Sequence, residues 1–333
     1  MRRKIPATVI TGFLGAGKTS LLRHLVARAE GRRLALVINE FGELGVDREI
    51  LLGCGVENCA EDDVIELANG CICCTVAEDF LPTLERLLER PEPPDHILIE
   101  TSGLALPKPL VQAFAWPEVK ARVTVDGVIA VVDGPAVAAG RFAEAPLPEE
   151  SHDNPLEEVF ADQLSAADLV VLNKTDLLTP ETRAAAEAEL AMRLRPATKW
   201  IAASHGVAPP SVLLGLAAAA EDDLASRPSH HDLEPEHDHD DFESFVVARG
   251  PVADTPGFLA RLGALVAEHD ILRLKGFLDV PGKEFRQVVQ GVGERLQHYF
   301  DRPWGPGEAR ASRLVVIGRK GLDRAAITAA IEA

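Results

Sequence analysis

The sequence predicts an α/β fold, a mostly parallel sheet with helices on both faces, followed by a smaller α+β domain. Three observations predict it. From about residue 5 to 220, short aliphatic runs alternate with helical stretches, the pattern of parallel strands buried on both faces. A glycine-rich loop joins the first run to the first helical stretch. Between 221 and 241 the composition turns acidic, and strand-like runs then resume.

In chain order, the β-branched run at 8–10 predicts the first strand and 20–29 the first helix. The aliphatic run 34–38 predicts the next strand and 81–90 a second helix. Runs at 96–99, 127–132 and 168–172 predict further buried strands, and 199–202 a last one. Residues 1–220 are thus read as one nucleotide-binding domain. The stretch 221–243 holds ten acidic residues, one arginine and four of the ten histidines. So polar a segment has little to pack, and 221–241 is expected to be a mobile linker. Beyond it, 242–333 reads as an α+β domain with strands near 244–248, 271–278, 285–289 and 313–317. Helices are expected there near 255–268 and 323–332.

The 333 residues carry 52 acidic against 34 basic side chains, a formal charge of −18. That balance argues against a general nucleic-acid or anionic-membrane binder, which needs a positive face. No stretch approaches the roughly 20 apolar residues of a membrane span. The basic start lacks the long apolar segment of a signal peptide, so a cytoplasmic location is expected. All five cysteines fall between Cys54 and Cys74, which suits metal or redox chemistry better than a disulfide framework.

Gly12-Phe13-Leu14-Gly15-Ala16-Gly17-Lys18-Thr19 fits the phosphate-loop pattern G-x-x-x-x-G-K-[ST] between a strand and a helix,. The backbone amides of Gly12, Gly15, Ala16, Gly17 and the helix start at Ser20 would curl around phosphate oxygens. Lys18 would neutralise the β and γ phosphates, and the Thr19 hydroxyl would bind Mg²⁺. Asn173-Lys174-Thr175-Asp176 has the N-K-x-D form at a strand end. Its Asp176 carboxylate can accept from N1–H and the 2-amino group of guanine, a donor pair adenine lacks. Ser204 is a candidate for a further base contact. Glu100, at the tip of the 96–99 strand, would help hold Mg²⁺, and Gly103 would sense the γ-phosphate. The alternative for Glu100 is a cap on the next turn. Lys18, Glu100 and Gly103 are the candidate catalytic set, and GTP is the expected nucleotide. No glutamine stands out to position the attacking water, so slow intrinsic hydrolysis is expected.

Asn69-Gly70-Cys71-Ile72-Cys73-Cys74 places three thiols in four residues. In an extended segment Cys71 and Cys73 point the same way and could grip one ion, while Cys74 faces away. Thiolates suit Zn²⁺, Cu⁺ or Co²⁺ and disfavour Mg²⁺. Two or three thiolates do not close a structural Cys₄ site, so a ligand is borrowed or a position stays open for transfer. Buried thiols, a redox pair of Cys71 with Cys74, and a zinc knot using Cys54 and Cys59 are the competing readings. The segment 39–47 is glycine-rich and carries Glu40, Glu43 and Asp47. It suits a switch loop that senses Mg²⁺ and nucleotide, with those carboxylates available to metal. His230, His231, His237 and His239 could collect divalent ions weakly.

Together these residues resemble the CobW family of metal-handling GTPases over nearly the whole length. The resemblance rests on 12–19, 38–47, Gly70-Cys71-Ile72-Cys73-Cys74, 100–103, 173–176, the histidine-rich segment and a CobW-type C-terminal domain. Gly53-Cys54-Gly55 with Cys59, the 101–107 run and Leu274-Lys275-Gly276-Phe277 resemble the cobalamin-biosynthesis branch more than the zinc-handling one. The resemblance implies a GTP-dependent chaperone that carries Co²⁺ to the cobaltochelatase of aerobic cobalamin synthesis. The same family also implies an alternative, a Zn²⁺ chaperone or activator serving another metalloenzyme client. A metal store or sensor with structural GTP is a third reading, and a nucleotide-dependent homodimer is left open.

Overall fold

The computed structural model describes residues 4–29, 31–39, 64–67, 80–140, 155–229, 242–269, 271–292, 295–305 and 308–333. The chain divides into two compact units, whose described residues lie at 4–229 and 242–333.

The first unit is built on a parallel sheet with strand order β3-β2-β4-β1-β5-β6-β7. Its strands are β1 (Ile5–Thr11), β2 (Leu34–Asn39), β3 (Val64–Leu67), β4 (His96–Glu100), β5 (Val123–Asp133), β6 (Leu169–Asn173) and β7 (Lys199–Ala202). β2, β4 and β6 are buried at every residue, as strands covered on both faces must be. The helices are α1 (Lys18–Ala27), α2 (Leu81–Leu88), α3 (Pro107–Ala113), α4 (Pro117–Lys120), α5 (Gly134–Ala138), α6 (Pro155–Ala166), α7 (Pro180–Arg193) and α8 (Pro210–Leu213). Leu84, Leu87 and Leu88 of α2 and Leu110 and Val111 of α3 pack on Ala7, Val9, Val37, Ile97 and Ile99. Phe80 meets Phe114 edge-on at 5.4 Å, the geometry aromatic quadrupoles favour. Phe160 and Leu164 of α6, with Ala186 and Leu190 of α7, cover Ala130, Val132, Val170 and Leu172.

β1 lies between β4 and β5, so the chain leaves it in one direction and returns on its other side. Such a switch point opens a crevice at the carboxyl ends of the strands. Gly12 to Lys18, Glu100, Asp133 and Asn173 all sit at that edge.

The second unit is an antiparallel sheet, order β11-β10-β9-β12-β8. It comprises β8 (Phe242–Arg249), β9 (Ile271–Leu278), β10 (Phe285–Val292), β11 (Arg295–Pro303) and β12 (Ser312–Arg319), with α9 (Thr255–Glu268) and α10 (Arg324–Glu332). Phe258, Leu262 and Val266 of α9 and Ile327 and Ile331 of α10 pack on Val247, Leu274, Val289, Leu314 and Val316. Asp254 and Asp323 cap the two helices by accepting from Gly257 N and Ala326 N, which satisfies amides the helix cannot.

The predicted strands stand where periodicity places them, although β5 begins at Val123 and not 127. β3, β11 and helices α3 to α8 were not anticipated; β3, α4, α5 and α8 are only four or five residues long and α7 is Ala-rich, which leaves little periodic signal in those five,. The expectation that the 221–241 segment has little to pack against is corrected over 221–229. Glu221 is buried; it accepts from Thr124 Oγ1 at 2.6 Å and from Val125 N at 2.9 Å. Arg227 is buried as well, donating to Ala166 O and to Asp168 at 2.6 Å. Composition marks this segment as polar, but β5, the end of α6 and the residue before β6 leave partners that its charges satisfy. No helix of the described residues is long and apolar enough to cross a membrane.

Candidate functional site

The loop from Gly12 to Thr19 turns directly into α1. Gly17 caps that helix in a left-handed conformation, φ 104°. A Cβ there would stand 2.3 Å from Asn173 Nδ2, so only glycine fits. Gly12, Gly15 and Ala16 form the loop before it, and Ser20 is exposed in the first turn of α1. Lys18 is buried, and its ammonium donates to Gly12 O at 2.7 Å and Phe13 O at 3.3 Å. The charge is therefore held over the loop that would cradle a phosphate.

Thr19 Oγ1 donates to Glu100 Oε1 at 2.9 Å. Glu100 is buried at the tip of β4. A hydroxyl and a carboxylate brought together beside the loop form a hard-oxygen pair, which fits Mg²⁺. Glu100 therefore meets the loop through Thr19. Gly103, two residues past Thr101, is packed against the loop itself. A Cβ on it would lie 2.8 Å from Leu14 N and 2.9 Å from Leu14 Cα.

At the other end of the crevice Asn173 joins three segments. Its amide donates to Ala16 O at 2.9 Å and accepts from Gly206 N at 3.0 Å. Lys174 sits in the left-handed region at φ 60°, unusual for a side-chain-bearing residue. Its ammonium is pinned by the buried Asp133 at 2.8 Å. Thr175 donates from N and Oγ1 to Ala203 O and shares a hydrogen bond with Ser204 Oγ at 3.0 Å. Ser204 thus braces the N-K-x-D turn through Thr175. Asp176 is partly exposed, with His205 Nε2 at 3.5 Å from its Oδ2.

Lys18, Thr19, Glu100, Gly103, Asn173, Lys174, Asp176 and Ser204 therefore line one edge of one sheet. Glu40, Glu43, Asp47, all five cysteines including Cys71, Cys73 and Cys74, and His230, His231, His237 and His239 lie outside the described residues. Among the described residues no group of three metal-binding side chains converges. Sequence reasoning missed Asp133, although it ends an aliphatic strand just as Glu100 does. It also missed Gln163, buried on α6 and donating to Gly103 O and Ala105 O at 3.2 Å each. One glutamine on an amphipathic helix carries no signal in the sequence.

Residues 6–202 match the CobW/HypB/UreG nucleotide-binding domain, and residues 242–333 match the cobalamin synthesis protein cobW C-terminal domain. The chain is 56% identical to a zinc chaperone CobW of Sinorhizobium, covering 99% of this chain and 97% of that one. It is 55% identical to a zinc chaperone CobW of Pseudomonas aeruginosa, over 97% and 90% of the two chains. Identity to the zinc chaperone YjiA of Escherichia coli is 31%, over 94% of both. With a phosphate loop, a hydroxyl–carboxylate corner and an N-K-x-D turn assembled on one sheet edge, the chain belongs to the CobW/HypB/UreG family of P-loop GTPases and carries the CobW-type C-terminal domain.

Proposed function

We propose that this protein is a GTP-dependent metal chaperone whose cargo is Zn²⁺, carried on the thiolates of Cys71 and Cys73 with Cys74 beside them. The observation that carries the nucleotide half is the Asn173 bridge between the phosphate loop and the turn at Gly206. It ties the base-reading turn to the phosphate-reading loop, as recognition of a whole nucleotide requires. Lys18 holds the β and γ phosphates, Thr19 and Glu100 hold Mg²⁺, Gly103 meets the γ-phosphate and Asp176 reads guanine. Glu40 and Glu43 belong to the nucleotide-sensing segment that passes the state of the site to the thiolates.

Zinc as cargo is supported by the names of the relatives above, zinc chaperones at 55–56% identity over nearly the full length. Chemistry agrees, since Zn²⁺ outranks Co²⁺ at most nitrogen, oxygen and sulfur sites. The Co²⁺ cargo and cobaltochelatase client expected from the resemblance find no support in those names. We take the client to be a cytoplasmic metalloenzyme that receives the ion when GTP is hydrolysed.

The test is a competition titration of the reduced protein with Zn²⁺ and Co²⁺ against a chromophoric chelator. It is run with Mg²⁺ and a non-hydrolysable GTP analogue, with Mg²⁺ and GDP, and with Mg²⁺ alone. Zinc binding at least about tenfold tighter in the GTP state is expected, with the gain lost in Cys71→Ala and Cys73→Ala. Equal affinity in all three states would overturn the chaperone reading in favour of a store. Retention of Co²⁺ against buffered Zn²⁺ in the GTP state alone would make cobalt the cargo.

A further inference from the structure

The Gly103 segment is held from behind by one side chain. Gln163 stands on α6, is 1% exposed, and its Nε2 donates to Gly103 O and Ala105 O, each at 3.2 Å. Both amide hydrogens are thereby spent on two carbonyls of the loop. On the opposite face of the same loop Gly103 presses on the backbone of Leu14 in the phosphate loop, closely enough to exclude a Cβ. The segment is clamped between α6 and the phosphate loop. Gln163 Oε1 is buried and has no hydrogen-bond partner among the described residues. An orphaned buried acceptor costs stability, so the two donated bonds keep Gln163 here at a cost.

We infer that Gln163 is a positioning residue for the γ-phosphate response. It holds Gly103 so that the loop discriminates GTP from GDP. This inference rests on the assignment of Gly103 to the γ-phosphate.

The experiment compares wild type with Gln163→Leu and the more flexible Gln163→Met, which fill the space without donors. Affinities for Mg²⁺-GDP and for a Mg²⁺-bound non-hydrolysable GTP analogue are measured together with melting temperature and single-turnover GTP hydrolysis. Affinity for the analogue is expected to fall about tenfold while GDP stays within about twofold, with hydrolysis slowed in step. Parallel weakening of both nucleotides that follows the melting temperature, or no change in either, would overturn the inference. In the wild type, amide exchange over 103–106 should slow with the analogue and not with GDP; identical exchange in both would also overturn it. Gly103→Ala separates the two claims. If it abolishes the preference for the analogue while both Gln163 variants retain it, the positioning role fails alone. If all three variants retain the preference, the γ-phosphate reading of Gly103 fails too.

Discussion

The same three strands carry polar groups at both ends, and the two ends use them differently. At the carboxyl ends of β1, β4 and β5 stand the phosphate loop, Glu100 and Asp133. Near the other end, Thr8, His96 and Asp126 are buried together. Thr8 Oγ1 shares a 2.7 Å hydrogen bond with His96 Nε2 and makes a long 3.5 Å bond to Asp126 Oδ2. Asp126 also accepts from Gly215 N at 2.6 Å, Leu216 N at 3.2 Å and Ala217 N at 2.9 Å. Its carboxylate is consumed by the chain that follows α8. The first end gathers Lys18, Glu100 and the Lys174–Asp133 pair around the phosphate loop and the N-K-x-D turn, and the other spends its carboxylate on backbone amides. Function and stability should therefore separate along a single strand.

The sharpest break comes from Lys18→Met, which keeps the buried stem and removes the ammonium. Hydrolysis of GTP should fall by about 10²- to 10³-fold, as when one charged group that stabilises a transition state is lost. The melting temperature should move by no more than about 3 °C. A large loss of stability with unchanged turnover would reverse the assignment of the two ends.

Asp126→Ala is the mirror experiment. It leaves the three amides without their acceptor, at a cost of about 3 kcal/mol in denaturant unfolding. Nucleotide affinity measured well below the melting point should be retained. Loss of nucleotide binding with intact stability would place Asp126 in the functional end.

Acid sharpens the comparison further. Burial lowers His96 from 6.5 to about 4, against a pull upward from Asp126 and with a further push down from Arg32. The unfolded chain takes up a proton on this ring below about pH 6.5, and the folded chain only near pH 4. The unfolded state thus binds more protons between those values, and stability should fall as pH drops through the window. The loss is at most about 3 kcal/mol. His96→Gln, which keeps a polar group for Thr8, should flatten that part of the pH–stability curve. An unchanged slope would take His96 out of the account.

The smallest effect belongs to the surface. Lys120 and Asp222 pair at 2.6 Å, but both are about half exposed. Lys120→Ala should shift the melting temperature by less than about 2 °C. A larger change would mean that the 220–222 turn depends on this pair more than on buried Glu221.

Much of the functional edge was legible because its chemistry is local. A phosphate loop needs its glycines, lysine and threonine within eight residues, and a guanine reader needs its carboxylate within a tetrapeptide. The parallel sheet was legible because strands buried on both faces are aliphatic throughout, as Leu34 to Ile38 are. The stabilising end was not legible. Thr8 stands 88 residues from His96 and 118 from Asp126 along the chain, and no spacing rule links them. The same holds for Lys174 with Asp133 and for Gln163 with Gly103. The polar stretch after 220 was misjudged at its start because composition reports what a segment carries and not what waits for it.

By itself, then, the sequence determined the fold class, the positions of the phosphate-loop and N-K-x-D motifs and the polarity of each segment, since each depends on residues close together in the chain. Only the tertiary structure decided which buried polar groups meet. A buried hydrogen bond needs a donor and an acceptor within about 3 Å, and strand order, not sequence distance, brings them there.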